Sequence, residues 1–230
     1  RRAGDRAPRA MATDAIDCSV PGVLALLGDA PSADARRRER GEAALLSAVK
    51  RADGALKSLL AIACGGWTET VPTMSASDAE AVRTLACVTV KRRCTPRAFA
   101  SRLTRGERDE AKRALLDRAM TAESKALRNA VLDVIAKIAR WTVPQGEWNE
   151  LLEFLGQCAS SPETAHRALA FKLFESLTET IVSSLSHHFK TLAGLFANGL
   201  VDAHDEVRVS ALRAVGALVA NASGEPEEVA

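Results

Sequence analysis

An all-α fold, built as a row of about five helix pairs, is what this sequence predicts, on three observations. Apolar residues recur at helical spacing along nearly the whole chain, and no alternating stretch competes as strand. Ala and Leu dominate, whereas aromatics make up 4% and Tyr is absent, which favours helix over sheet. One helix pattern also returns several times. With 230 residues, 47% of them hydrophobic, the chain can bury a sizeable core without staples, and disorder throughout is excluded.

The elements follow in order. Leu24 and Leu27 mark a first helix. Residues 32–51 form the next, with Ser32 or Asp34 as cap and an Arg-rich outer face. Residues 53–64 follow, stopped by Gly65-Gly66. Helices are then expected over 77–94, 104–120 and 124–140. Residues 144–160 open with Pro144 in the first turn. Residues 161–179, 186–201 and 202–221 close the row. Turns between them are short, apart from longer stretches near 65–76 and 94–104.

The second helix of each pair carries the repeat. Val82-Arg83-Thr84-Leu85-Ala86 resembles Leu127-Arg128-Asn129-Ala130-Val131. Both resemble His166-Arg167-Ala168-Leu169-Ala170 and Val207-Arg208-Val209-Ser210-Ala211, and Arg37-Arg38-Glu39-Arg40-Gly41 is an earlier copy. The anchors Arg38, Arg83, Arg128, Arg167 and Arg208 stand 45, 45, 39 and 41 residues apart. Three residues on comes a small or compact residue (Gly41, Ala86, Val131, Ala170, Ala211), and seven on an apolar one (Leu45, Val90, Ile135, Phe174, Val215). These positions share one helix face, and a small residue there admits a close neighbour. A two-helix repeat of this length falls in the HEAT/armadillo range, whose pairs stack into an α-α superhelix because no pair buries its apolar face alone. Residues 11–221 therefore read as one solenoid. Residues 1–10 read as a disordered basic extension, Met11 opening a plausible protein start. Residues 222–230 read as an acidic tail and a truncation point, since no polar cap helix precedes them.

Charge and cysteine usage narrow the classes. Residues 11–143 carry a net +6 (22 basic against 16 acidic), and residues 144–230 a net −7 (5 against 12). Two differently charged faces for partners are expected, neither basic enough to demand nucleic acid. Cys18, Cys64, Cys87, Cys94 and Cys158 are odd in number and show no paired spacing, so they read as small core residues in a reducing compartment. No apolar run is long enough to cross a membrane. No Gly-rich phosphate loop, nucleophile elbow or paired-carboxylate constellation is present, and His187-His188 lacks a third ligand nearby, so no enzyme, cofactor or metal site is expected.

Several segments resemble the N-terminal repeats of importin-β-type (karyopherin-β) nuclear transport receptors. Trp148-Asn149-Glu150-Leu151-Leu152-Glu153-Phe154-Leu155, continuing through Cys158 and Ser160-Ser161, is similar to a first helix of that family, and Arg167-Ala168-Leu169 with Phe174-Glu175-Ser176-Leu177 to its partner. Arg38-Glu39-Arg40-Gly41-Glu42-Ala43-Ala44-Leu45 resembles the opening repeat, with Gly41 for the usual Ala. Val82-Arg83 with Ala86 and Val90-Lys91-Arg92-Arg93 resembles the second repeat, and Leu127-Arg128 through Ala139 the third. The branch importing ribosomal proteins and histones is the nearest in pattern. The family's Trp after the second repeat is missing from Cys94-Thr95-Pro96-Arg97-Ala98-Phe99, which suggests an altered loop.

The resemblance implies a shuttling receptor of cytoplasm and nucleus. Its partners would be the GTPase Ran in its GTP form on the second-helix face, Phe-Gly nucleoporins in slots between first helices, and basic cargo proteins. Lys91, Arg92, Arg93, Arg37 and Arg40 are the candidate GTPase contacts, set against a reading as helix-end charges and solvated surface. Glu147, Glu150, Asp202, Asp205 and Glu206 are the candidate basic-cargo face. Apolar slots near Leu151, Phe154 and Phe196 compete with plain core packing. The ladder arginines Arg83, Arg128, Arg167 and Arg208 read as structural, pairing with neighbouring carboxylates and carbonyls between repeats. A static HEAT scaffold is the alternative function, and a HEAT-like DNA-repair glycosylase a third reading that the acidic second half disfavours.

Overall fold

The computed structural model describes residues 17–29, 35–51, 53–65, 74–185 and 189–222. Among these, every regular element is a helix: α1 (Val20–Asp29), α2 (Ala35–Arg51), α3 (Asp53–Cys64), α4 (Ala76–Arg93), α5 (Pro96–Arg102), α6 (Arg105–Thr121), α7 (Lys125–Thr142), α8 (Glu150–Ala159), α9 (Thr164–Leu185), α10 (Phe189–Leu200) and α11 (Asp205–Ala222). The expected 1–10 extension, the 223–230 tail and the His187-His188 pair lie outside the described residues.

Five pairs stack: α1 with α2, α3 with α4, α6 with α7, α8 with α9, and α10 with α11. The second helices α4, α7, α9 and α11 lie side by side, and the first helices α1, α3 and α6 form the other layer. The repeat register explains the stacking. Gly41, Ala86, Val131, Ala170 and Ala211 are all buried, and so are Leu45, Val90, Ile135 and Phe174 four residues further on. A continuous core runs the length of the chain through these positions and through Leu59, Leu115, Leu151 and Leu192 of the first helices. At the far end Phe171, Phe174 and Phe196 cluster, with ring centroids 5.4–6.4 Å apart. Gly199 lets α10 approach this cluster, because a Cβ there would come within 2.3 Å of the Phe171 ring.

Ser and Thr side chains cap the starts of several helices. Ser75, Thr95 and Ser124 each accept from the backbone N–H three residues on, at 3.1 Å. Thr104 and Glu107 close a capping box, with Thr104 N–H donating to Glu107 Oε2 at 2.8 Å.

Two expectations need correction. The stretch 94–104 is not an open loop, since it contains α5. Thr95 caps it, Pro96 occupies its first turn, and Phe99 is buried edge-on to Trp141 at 6.3 Å between centroids. Seven residues are too few to show a helical period. Pro144 does not open the fourth first helix either, because α8 begins at Glu150. The intervening residues terminate α7: Gly146 has φ +69°, Glu147 N–H donates to Thr142 O at 2.8 Å, and Gly146 N–H donates to Val143 O at 3.0 Å. That pair of bonds is a Schellman stop, which needs a left-handed residue at the position Gly146 holds.

The buried thiols fit the core reading. Cys87 and Cys94 are at most 1% exposed, and burial pushes both up to about 12. Neither is expected to react with a maleimide at neutral pH in the folded chain, whereas both are modified in denaturant. Mass spectrometry of the labelled protein checks this, and rapid labelling of either thiol without denaturant would contradict it.

Candidate partner-binding faces

The anchor arginines build the scaffold first. Arg128 donates to Ala122 O at 2.7 Å, Arg167 to Ser161 O at 2.9 Å, and Arg208 to Asp202 O at 2.6 Å. Each acceptor lies six residues back, so the guanidinium closes the turn joining the two helices of its own repeat. Arg167 also reaches the next repeat, with Nε to Asp202 Oδ2 at 2.6 Å and Nη2 to Asp202 Oδ1 at 3.1 Å. That fork, together with the His204 backbone N–H, holds the Asp202 carboxyl far below the usual carboxylate range. Arg83 sits where burial, and then the neighbouring Arg118, lower its proton affinity. Arg118 itself caps α3 across a repeat boundary, donating to Cys64 O at 2.7 and 3.0 Å. Lys57 meets Glu107 at 2.7 Å over the same boundary and, with the Thr104 donors, holds the Glu107 carboxyl at about 2.

A groove of about 890 Å³ runs over the second helices α4, α7, α9 and α11. Lys91, Lys125, Lys137, Arg140, Lys172 and Arg213 line it, against the two carboxylates Asp133 and Glu175. Two pairs cross its seams: Lys91 with Asp133 at 2.8 Å, and Lys172 with Glu206 at 2.8 Å. Lys137 lies over the Trp141 ring at 5.9 Å. A second, smaller cavity of about 280 Å³ opens between first helices α3 and α6. Leu60, Ala61, Leu103, Ala111 and Ala114 supply its apolar wall, and Lys57 and Glu107 stand at its rim.

The sequence candidates divide among these places. Lys91, Arg92 and Arg93 are exposed at the end of α4, with Lys91 in the groove. Arg37 and Arg40 belong to α2, and their side chains lie outside the described residues. Asp202, Asp205 and Glu206 come together at the start of α11, each in an ion pair, with Arg167, Arg208 and Lys172 respectively. Glu147 and Glu150 are exposed on the other side of the α7–α8 turn. Glu147 also offers its carbonyl to the buried Lys112 at 2.6 Å. Leu151 and Phe196 belong to the core.

Sequence reasoning missed most of the groove. The signal lay in the repeat register, in which the position five residues past the anchor is Asp133, Lys172 or Arg213 and faces the groove each time. Among the described residues no group of His, Cys, Asp and Glu could hold a metal, and no helix is long and apolar enough to cross a membrane.

Comparisons with known proteins agree with the repeat reading. Residues 123–230 match the family model described as IPO5-like, TPR repeats. A probable importin-5 homolog of Dictyostelium discoideum is 35% identical over 105 residues, which is 45% of this chain and 10% of that protein. A probable importin subunit beta-4 of Schizosaccharomyces pombe is 29% identical over 100 residues, 44% of this chain and 9% of that protein. The chain thus spans about a tenth of the relatives it matches. Among solved structures, importin beta superposes with a TM-score of 0.68 at 21% identity, covering 86% of this chain and 24% of that one. Kap121p bound to the SUMO protease Ulp1p superposes at 0.70 and 18% identity, covering 90% and 18%. The family description speaks of TPR repeats, whereas the 39–45-residue spacing exceeds the 34 of that repeat class and matches HEAT units. The arginine ladder, the family match over residues 123–230 and the relatives aligned with the chain together support a receptor of the importin-β family.

Proposed function

We propose that this chain is the GTPase-sensing part of a nuclear import receptor that shuttles between cytoplasm and nucleus. The observation that carries the reading is a basic groove on the second-helix face of a solenoid whose repeats resemble those of importin-β-type proteins. In this reading Ran-GTP docks along that face, contacting Lys91, Arg92 and Arg93, with Arg37 and Arg40 adding contacts from the first repeat. The apolar slot between α3 and α6 takes Phe-Gly segments of nucleoporins, because its walls are apolar and its charged groups, Lys57, Glu107 and Glu110, are few. Basic cargo meets the exposed carboxylates Glu147 and Glu150. Asp202, Asp205 and Glu206 contribute there only through the long-range field, since each is already paired. Nothing in this scheme requires the chain to catalyse a reaction.

A titration of the chain against Ran loaded with a non-hydrolysable GTP analogue, then with GDP, tests it. Binding confined to the GTP form is expected, and Lys91→Glu/Arg92→Glu should weaken it by on the order of ten-fold. Binding indifferent to the nucleotide would overturn the receptor reading and favour a static scaffold.

A further inference from the structure

We infer that the second-helix groove selects an acidic peptide segment, one in which carboxylates flank an apolar residue. The inference concerns the groove already named in the GTPase reading and adds which peptide chemistry its lining attracts.

The inference starts from how charge is sorted. Residues 144–230 carry a net −7, yet the groove wall they help to build holds Lys172 and Arg213 against Glu175. Among the described residues, acidic groups of this half gather away from the groove, at Glu150 and Glu153 in the first turn of α8 and in the paired cluster at the start of α11. Across all four helices the groove is lined by six cations and two carboxylates, a net +4. A cleft lined by one sign of charge, with low-dielectric walls, focuses its field on whatever enters. Lys125 and Arg213 are exposed on different helices, so an extended ligand can meet both. Leu132 and Ala136 of α7, each less than a tenth exposed, add an apolar patch to the same lining. A segment carrying carboxylates beside an apolar residue matches that lining.

Nucleic acid fits less well. Asp133 and Glu175 stand in the groove and oppose an unbroken row of phosphates. A peptide can instead turn backbone N–H groups toward them.

The test titrates the whole chain with a labelled peptide of repeating Glu-Glu-Leu, its Lys-Lys-Leu counterpart and labelled oligothymidine. The acidic peptide is expected to bind with preference over both, and to weaken as salt rises. Lys125→Glu/Arg213→Glu brings the groove from +4 to neutral and should lower its affinity by on the order of ten-fold. The milder Lys125→Gln/Arg213→Gln pair should lose less, with the same circular dichroism as the parent. Arg97→Glu/Arg105→Glu makes the same change in net charge on exposed residues outside the groove, and should leave binding intact. Equal binding of the two peptides, an equal loss in the control pair, or preference for oligothymidine would each overturn the inference. None of these results bears on nucleotide-dependent Ran binding, which has its own readout.

Discussion

Replacing Trp148 with Ala is expected to cost about 3–5 kcal/mol of folding stability, the range for deleting a large buried aromatic. Trp148 is 1% exposed although it lies in a turn, so the chain between α7 and α8 is anchored by a core side chain rather than laid over the surface. The anchoring has a polar complement. The neighbouring carbonyl, Glu147 O, accepts from Lys112, whose side chain is buried and also meets Asp109 at 3.1 Å. Losing the indole leaves a cavity and removes the reason for that lysine to stay buried. In a chain of this size the loss corresponds to a fall in Tm on the order of ten degrees. Urea denaturation followed by circular dichroism measures it. Trp148→Phe should recover most of the loss, because it refills most of the volume. A cost below about 1 kcal/mol for the Ala variant would show that the turn is held by its backbone bonds alone.

Arg167→Met is expected to destabilise by about 2–3 kcal/mol, less than a fully buried pair because both partners still touch solvent. The arginine serves four oxygens: Ser161 O at 2.9 Å, Pro162 O at 2.8 Å and both carboxylate oxygens of Asp202. With side-chain exposures of 16% and 11%, Arg167 and Asp202 depend on each other, and removal of the cation strands a desolvated carboxylate. The pH dependence gives a sharper signature. The folded chain holds the Asp202 proton affinity below that of the unfolded chain, and Arg167 is the largest cause. A depressed carboxyl binds fewer protons folded than unfolded. Its stabilisation is therefore complete above the ordinary aspartate value, about 3.9, and is lost as pH falls below it. Parent stability should decline over that acidic window, and the decline should be shallower in Arg167→Met. Urea midpoints measured from pH 6 downward test the point, and parallel profiles for the two proteins would refute the role given to the pair.

The fold was legible because the repeat writes it in a single helix face. Ala86, Val131, Ala170 and Ala211 three residues past the anchors are buried, and so are Val90, Ile135 and Phe174 at seven, so the pattern of residue sizes carried both helix type and stacking. The ladder arginines are structural, but where pairing between repeats was expected, Arg128 and Arg208 bond carbonyls within their own repeat and Arg167 does both. What periodicity could not register was short or aperiodic structure. Helix α5 has seven residues, and the stop after α7 depends on the sign of one backbone angle at Gly146. The groove was hidden for a different reason. Counting charge along the chain split it into a basic and an acidic half, whereas folding sorts charge by helix face, so that Lys125 and Arg213, 88 positions apart in sequence, line one groove. Paired carboxylates such as Asp202 and Glu206 looked available in the sequence because their partners sit 34 or 35 residues away.

The arginine bond to a carbonyl six residues back has a consequence for how such a chain comes into being. The clasp needs no other repeat, so each of the three hairpins that carry it, α6–α7, α8–α9 and α10–α11, can close as soon as its own two helices exist, with little loop entropy to overcome. Order can then begin in any hairpin and spread to its neighbours, as in a one-dimensional chain of coupled units. The same self-sufficiency makes the unit copyable. A duplicated hairpin arrives with its own fastening and needs from its neighbour only a complementary surface, so such an array can lengthen by whole units without redesign of those already present.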